Sequence, residues 1–151
     1  AMEAAGIQTT ALTETLTFEL DRAQYTVYPP ERTSYPNNED NEYSLIVGVT
    51  HGENRFLFAG DALTERLGEF TALGEGAYDF LKVSNHGDYF EGVEAFFRAV
   101  SPKYAAITCS DKNPADARTV SALEAVGAQV FLTRDGSVKV TSDGRTISVL
   151  Q

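Results

Sequence analysis

The stretch RFLFAGDALTERLGEFTALGEGAYDFLKVSNHGDYF, residues 55–90, decides the fold class. It opens with RFLFAG, a continuous apolar run of the length and kind that forms a strand buried on both faces. DALTERLGEFTAL follows, with Leu63, Leu67, Phe70 and Leu73 recurring at helical spacing, so one side of a helix is apolar and the other charged. AYDFLKVS then returns to a strand pattern. Strand, helix and strand in so short a span make the repeating unit of a partly parallel sheet covered by helices.

Downstream the same alternation continues. GVEAFFRAV places Val93, Phe96, Phe97 and Val100 on one helical face, and KYAAITCS is another strand. NPADARTVSALEAVG is a helix for which Asn113 can cap, Pro114 suits the first turn, Asp116 sits three after the cap and Gly127 ends the run. QVFLTR, SVKVTS and TISVL read as a closing meander with Asp135-Gly136 and Asp143-Gly144 as its hairpin turns. Upstream, YSLIVGV pairs with RFLFAG across THGEN, a turn in which His51 reads as solvated. ETLTFEL alternates apolar and polar residues, and QYTVY is its hairpin partner across DRA. PPERTSYPNNEDNE, rich in proline and acidic residues, reads as an exposed and mobile loop. The expectation is one α/β domain over residues 1–151. It has a hairpin and mobile loop at 1–40 and a core over 41–151. The sheet is mixed, with three helices near 62–73, 91–100 and 115–126, mainly on one face.

Composition bounds the function. At 151 residues and 42% hydrophobic, the chain can bury a core of its own. A formal charge of −10 repels phosphate backbones and argues against general nucleic-acid binding. No apolar run approaches the ~20 residues of a membrane-spanning helix. The start, AMEAAGIQTT, lacks a signal-peptide pattern, and Ala1 ahead of Met2 reads as a remnant of cloning. The single cysteine, Cys109, lies in the apolar run YAAITC and reads as a buried, inert thiol. It suits a reducing compartment without excluding export, so cytoplasmic and extracytoplasmic locations both stand.

Two polar points follow apolar strands: Asp61, closing FAGD, and His86, in SNHGD. Both sit where a strand gives way to a helix, and such carboxyl ends gather on one rim of a sheet. Asp61 and His86 are therefore expected to face each other across that rim. A carboxylate and an imidazole so placed are suitable ligands for zinc or manganese. Each residue also has a plain structural reading: Asp61 as the N-cap of the helix that follows, His86 as a loop histidine bonded to backbone. Two ligands are too few for a tight site, and the chain has no H-x-H or C-x-x-C pair to add more.

From Asn41 to Val149 the ordered set of these pieces resembles the C-terminal half of the metallo-β-lactamase fold. Its variety is that of the hydrolase domain of the competence protein ComEC and its stand-alone relatives. The carrying residues are Gly60-Asp61, Asn85-His86-Gly87, the Ser101-Pro102 strand, Asn113-Pro114 at a helix start, and the Thr133–Gly136 turn. The resemblance implies half of an αββα sandwich, with Asp61 as a metal-bridging aspartate and His86 as a metal histidine. It also implies zinc or manganese as cofactor, and hydrolysis of an ester or phosphodiester by metal-activated water. The family's H-x-H-x-D-H motif is absent here, and Asn85 stands where the family has a first histidine. Two readings follow. In one, the chain is a fragment of such a hydrolase, inactive alone, whose partner is a missing N-terminal half-domain. In the other, it is a degenerate, non-catalytic binding or assembly module, with a second copy covering its open sheet face. This chain alone is expected to bind zinc or manganese weakly or not at all.

Overall fold

The computed structural model describes residue 6, residues 8–36 and residues 39–151. The start read as a cloning remnant, Ala1 and Met2, lies outside the described residues, as do Asn37 and Asn38 of the proline-rich loop. Among the described residues, seven strands form one sheet in sequence order: β1 (Leu16–Leu20), β2 (Ala23–Tyr28), β3 (Ile46–His51), β4 (Asn54–Phe58), β5 (Phe80–Lys82), β6 (Tyr104–Ile107) and β7 (Gln129–Leu132). β1 to β4 pair antiparallel and β4 to β7 parallel, so the sheet is mixed. The parallel strands are linked by α1 (Thr64–Ala72), α2 (Val93–Val100) and α3 (Ala117–Ala125). Right-handed crossovers that always step in one direction put every linking helix on the same face. Phe70, Phe96, Phe97 and Leu123 accordingly share one buried cluster with Leu57, Leu81, Val83, Ala105 and Ile107 of the sheet. The first two helices fall where the apolar spacing expected them, and the third where its end signals did.

The β1–β2 hairpin turns on Asp21 and Arg22, both left-handed at φ 48° and 69°, the pair of positive angles that suits a two-residue hairpin turn. This hairpin lies in the plane of the sheet, paired to β3 through β2. It does not fold across the open face of the sheet. The closing meander is also corrected. β7 is the parallel edge of the main sheet, and β8 (Lys139–Ser142) pairs only with β9 (Ile147–Leu150). Asp135-Gly136 is thus not a hairpin turn: Thr133–Asp135 form a short 3-10 turn that breaks the chain away from the sheet. Asp143-Gly144 does close the β8–β9 pair.

That pair is pinned to the far end of β3 and β4. Ser142 Oγ lies 3.0 Å from His51 Nδ1 and donates to Asn54 Oδ1 at 2.8 Å. Glu53 N donates to Gly144 O at 2.7 Å. His51 is therefore the half-buried last residue of β3 and a structural anchor, rather than a solvated turn residue.

The face opposite the helices follows from register. Paired residues share a face, so Phe18, Tyr25, Val49, Phe56, Phe80 and Tyr104 line up across the sheet. Coverage is uneven: Phe80 is 5% exposed, whereas Phe58 on the adjoining central strand is 41% exposed. The expected burial of the central strands on both faces therefore holds only in part.

The proline-rich loop differs from its expected mobility at several points. Tyr35 is buried, and its hydroxyl lies 2.9 Å from both carboxylate oxygens of Glu69. Burial, then that hydrogen bond, raises the Tyr35 phenol to about 12. Arg32 pairs with Glu65 at 2.6 Å. Arg66 is buried, donating to Tyr28 O at 2.7 Å and Ser44 O at 3.0 Å, and lies 3.4 Å from Glu69. A buried guanidinium must be paired and bonded to be tolerated, and these contacts fasten the loop to α1.

Candidate metal centre

The carboxyl ends of β4, β5 and β6 deliver three segments to one rim. Ala59, Gly60 and Asp61 follow β4. Val83 to Gly87 follow β5, and Thr108 follows β6. Main-chain bonds lock them together: Ala59 N to Lys82 O at 3.3 Å, Asn85 N to Gly60 O at 3.3 Å, and Val83 N to Ala106 O at 2.9 Å.

Asp61 and His86 meet there, with Oδ1 and Nε2 3.6 Å apart. His86 Nδ1 lies 2.8 Å from Thr108 O and 3.0 Å from Thr108 Oγ1. A main-chain carbonyl only accepts, so Nδ1 carries the proton and donates to it. Nε2 is thereby directed toward Asp61 and solvent, the orientation that a carbonyl-tethered metal histidine adopts. The backbone reading of His86 and the ligand reading thus describe the two nitrogens of one ring.

The turn that carries this ring is strained. Asn85, His86 and Gly87 are all left-handed, at φ 42°, 52° and 82°. A Cβ at Gly87 would lie 2.6 Å from Ile107 Cγ2, so only glycine fits. Gly87 N donates to Ser84 O, and Gly87 O accepts from Asp116 N, both at 3.0 Å. Consecutive residues held in a sparsely populated region persist only where the surroundings fix them, and such places concentrate at working sites.

Asp61 is not a helix cap. The N-cap position of α1 is Leu63, whose side chain makes no capping bond. The cap is supplied from a distance by Glu42, whose carboxylate accepts from Glu65 N at 3.0 Å and Arg66 N at 2.8 Å. Relieved of that duty, Asp61 turns to the rim, and its own N–H donates to Ser44 Oγ at 3.2 Å. At α3 the expected cap also shifts: Asp116, not Asn113, is the N-cap, with Oδ1 accepting from Arg118 N at 2.8 Å.

Lys82 was not singled out by sequence reasoning. Its ammonium donates to Gly60 O at 2.8 Å and lies 3.6 Å from Asp61 Oδ1. Burial pulls its pKa below the ordinary lysine value, against the opposing pull of Asp61. The available signal was a lone charge inside the apolar run FLKV. Asn41, to which the sequence assigned no role, donates through Nδ2 to Asn85 Oδ1 at 3.4 Å. Cys109, read as buried, is half-buried and free. It lines a cleft of about 630 Å³ beside His86 with Asp88, Thr108, Ser110 and Lys112.

The donor pair can be tested against a divalent cation. Two bonds of ~2.1 Å meeting at a tetrahedral angle hold their donor atoms ~3.4 Å apart. The observed 3.6 Å matches this closely, and the tether at Nδ1 matches the chemistry. Asp61 and His86 therefore fit two positions of such a site. Among the described residues, no third His, Cys, Asp or Glu joins them. Among the same residues, no helix is long and apolar enough to cross a membrane. No protein-family model matches the chain, and a search of curated proteins finds no match.

Proposed function

We propose that this chain forms the C-terminal half of a metal-dependent hydrolase of the metallo-β-lactamase type, resembling the ComEC hydrolase domain. Asp61 and His86 contribute two ligands, and the remaining ligands come from a second unit seated on the open face of the sheet. One observation carries the reading: His86 has its Nδ1 committed to the Thr108 carbonyl and its Nε2 aimed at Asp61, 3.6 Å away, from a separate strand end.

A zinc or manganese ion held there would supply Lewis acidity and lower the pKa of a bound water, the chemistry that cleaves esters and phosphodiesters at neutral pH. Thr108 fixes the tautomer and plane of His86. The Gly60–Asp61 turn, with Asp61 N bonded to Ser44, fixes the carboxylate. The cleft lined by Lys112, Ser110 and Thr133 opens beside His86 and would admit the substrate.

The test uses the gene product at its full encoded length, with bis(p-nitrophenyl) phosphate and p-nitrophenyl acetate as substrates. Hydrolysis stimulated by zinc or manganese, reversed by a chelator, and cut roughly 100-fold by Asp61→Asn and by His86→Ala is the expected result. Turnover of neither substrate with either metal, or full activity in both variants, overturns the reading.

The second reading is a non-catalytic binding or assembly module. The ammonium of Lys82 beside Asp61 favours it, because the carboxylate already has a cation, as does asparagine at position 85. On that reading the same assays give no metal-dependent rate, and light scattering finds the mass of a dimer.

A further inference from the structure

The rim contains a cation of its own, and we infer that Lys82 is the resident counter-cation of the Asp61–His86 pair. It is a positioning residue that competes with a divalent ion for Asp61. The inference rests on the metal-centre reading above and adds a residue that neither the motif nor the resemblance assigns.

Lys82 ends β5, and register sets it beside Phe58 of β4 and Ala106 of β6, on the face away from the helices. Its side chain is 21% exposed, so the stem lies against the sheet while only its tip can reach the rim. There the ammonium is anchored by Gly60 O at 2.8 Å, the carbonyl just ahead of Asp61. One carboxylate oxygen, Asp61 Oδ1, stands 3.6 Å from Lys82 Nζ and 3.6 Å from His86 Nε2. The oxygen of Asp61 that faces His86 is thus also faced by an ammonium.

The consequence is electrostatic and has a definite sign. Lys82 is tethered, and its anchor on Gly60 fixes its place, so it meets Asp61 without the entropy loss a free ion incurs. A divalent ion bonded to Oδ1 would stand within ~5–6 Å of the ammonium unless the lysine withdraws. Repulsion or withdrawal both weaken the ion's hold. With the ion absent, the same ammonium keeps the Asp61 carboxylate at the rim, within reach of His86. Removing the charge therefore strengthens metal binding. A residue serving only to support the fold would leave it unchanged or weaken it.

The experiment is a manganese titration of the gene product at its full encoded length, followed by electron paramagnetic resonance, which counts free ion and needs no activity. Lys82→Met removes charge and anchor while keeping the stem. Lys82→Gln removes the charge and retains a donor for Gly60 O. Both are expected to bind manganese roughly tenfold or more tightly than wild type, ~1.4 kcal/mol, and Lys82→Arg is expected to behave as wild type. Melting curves of each variant confirm that it is folded. Asp61→Asn or His86→Ala, added to Lys82→Gln, should abolish the gain. If the folded, neutral variants bind no more tightly, while Asp61→Asn and His86→Ala still lose what wild type binds, the role of Lys82 is overturned and the metal reading stands. If no variant, neutral ones included, binds manganese in the millimolar range, the metal reading falls and the inference falls with it.

Discussion

Replacing Glu42 with alanine should unseat the helix that follows Asp61. Glu42 is 5% exposed, and its two oxygens accept from the N–H groups of Glu65 and Arg66 at 3.0 and 2.8 Å. Those are among the first N–H groups of α1, which have no partner within the helix. Hydrogen bonds to a charged group are worth ~1.5–3 kcal/mol each. A carboxylate at a helix N-terminus gains a further ~0.3–1 kcal/mol from the dipole. The contributions overlap, and water relieves part of the loss at Glu65, so Glu42→Ala is expected to cost about 3 kcal/mol. For a chain of this size that lowers Tm by roughly 6–12 °C. Glu42→Gln keeps one acceptor oxygen and loses the charge, so about half that cost is expected. Urea denaturation reports the stability. Hydrogen exchange adds a local check: the amides of Glu65 and Arg66 should exchange faster in Glu42→Ala while those of α3 do not change. A loss under ~1 kcal/mol, with both amides still protected, would show that α1 is capped by something other than Glu42.

Two further outcomes are expected. Burial alone would raise the Asp79 carboxyl, but Lys103 Nζ at 2.6 Å and Arg55 N at 2.8 Å outweigh it and hold it below the usual carboxylate value. A depressed folded-state value gives stability that is present above the unfolded pKa of ~4 and lost as pH falls through the folded one. Urea midpoints measured downward from pH 5 should therefore fall more steeply in wild type than in Asp79→Asn, and parallel acid limbs would refute this. Gly87→Ala combines a left-handed φ of 82° with a Cβ 2.6 Å from Ile107 Cγ2, and should cost ~3 kcal/mol. An unchanged urea midpoint would show that the turn relaxes freely.

The legible parts of this molecule were those written in local periodicity. Leu67 and Phe70, and Phe96 and Phe97, marked two helices because each face had to meet the sheet, and Pro114 and Gly127 bracketed a third. Parallel strands with one-directional crossovers then brought Asp61 and His86 to a common rim. The unreadable parts act through space. Nothing near Thr64 announces that its helix is capped from Glu42, and Tyr35 gives no local sign of its bond to Glu69, 34 residues later. Asp116 and Asn113 are equally good caps by residue type, and the choice follows from Gly87 O, which takes Asp116 N and fixes where the helix begins. The aspartate-glycine pair at 135–136 looks like the one at 143–144, but β7 is occupied along one edge by β6, and the chain leaves it rather than doubling back. Lys82 was hidden for the opposite reason: a charge in an apolar run is conspicuous, but its partner depends on the turn after a different strand.

The bond between His51 and Ser142 joins residues 91 positions apart, and it has a kinetic meaning. Contacts this distant in sequence form late, because the loop they close must first be ordered by everything between. During refolding, the β3–β4 turn should reach its native shape only after the parallel strands have assembled and the β8–β9 pair has swung back onto it. A probe on the β3–β4 turn would then lag behind one on α2, making the turn a clock for the last step of folding.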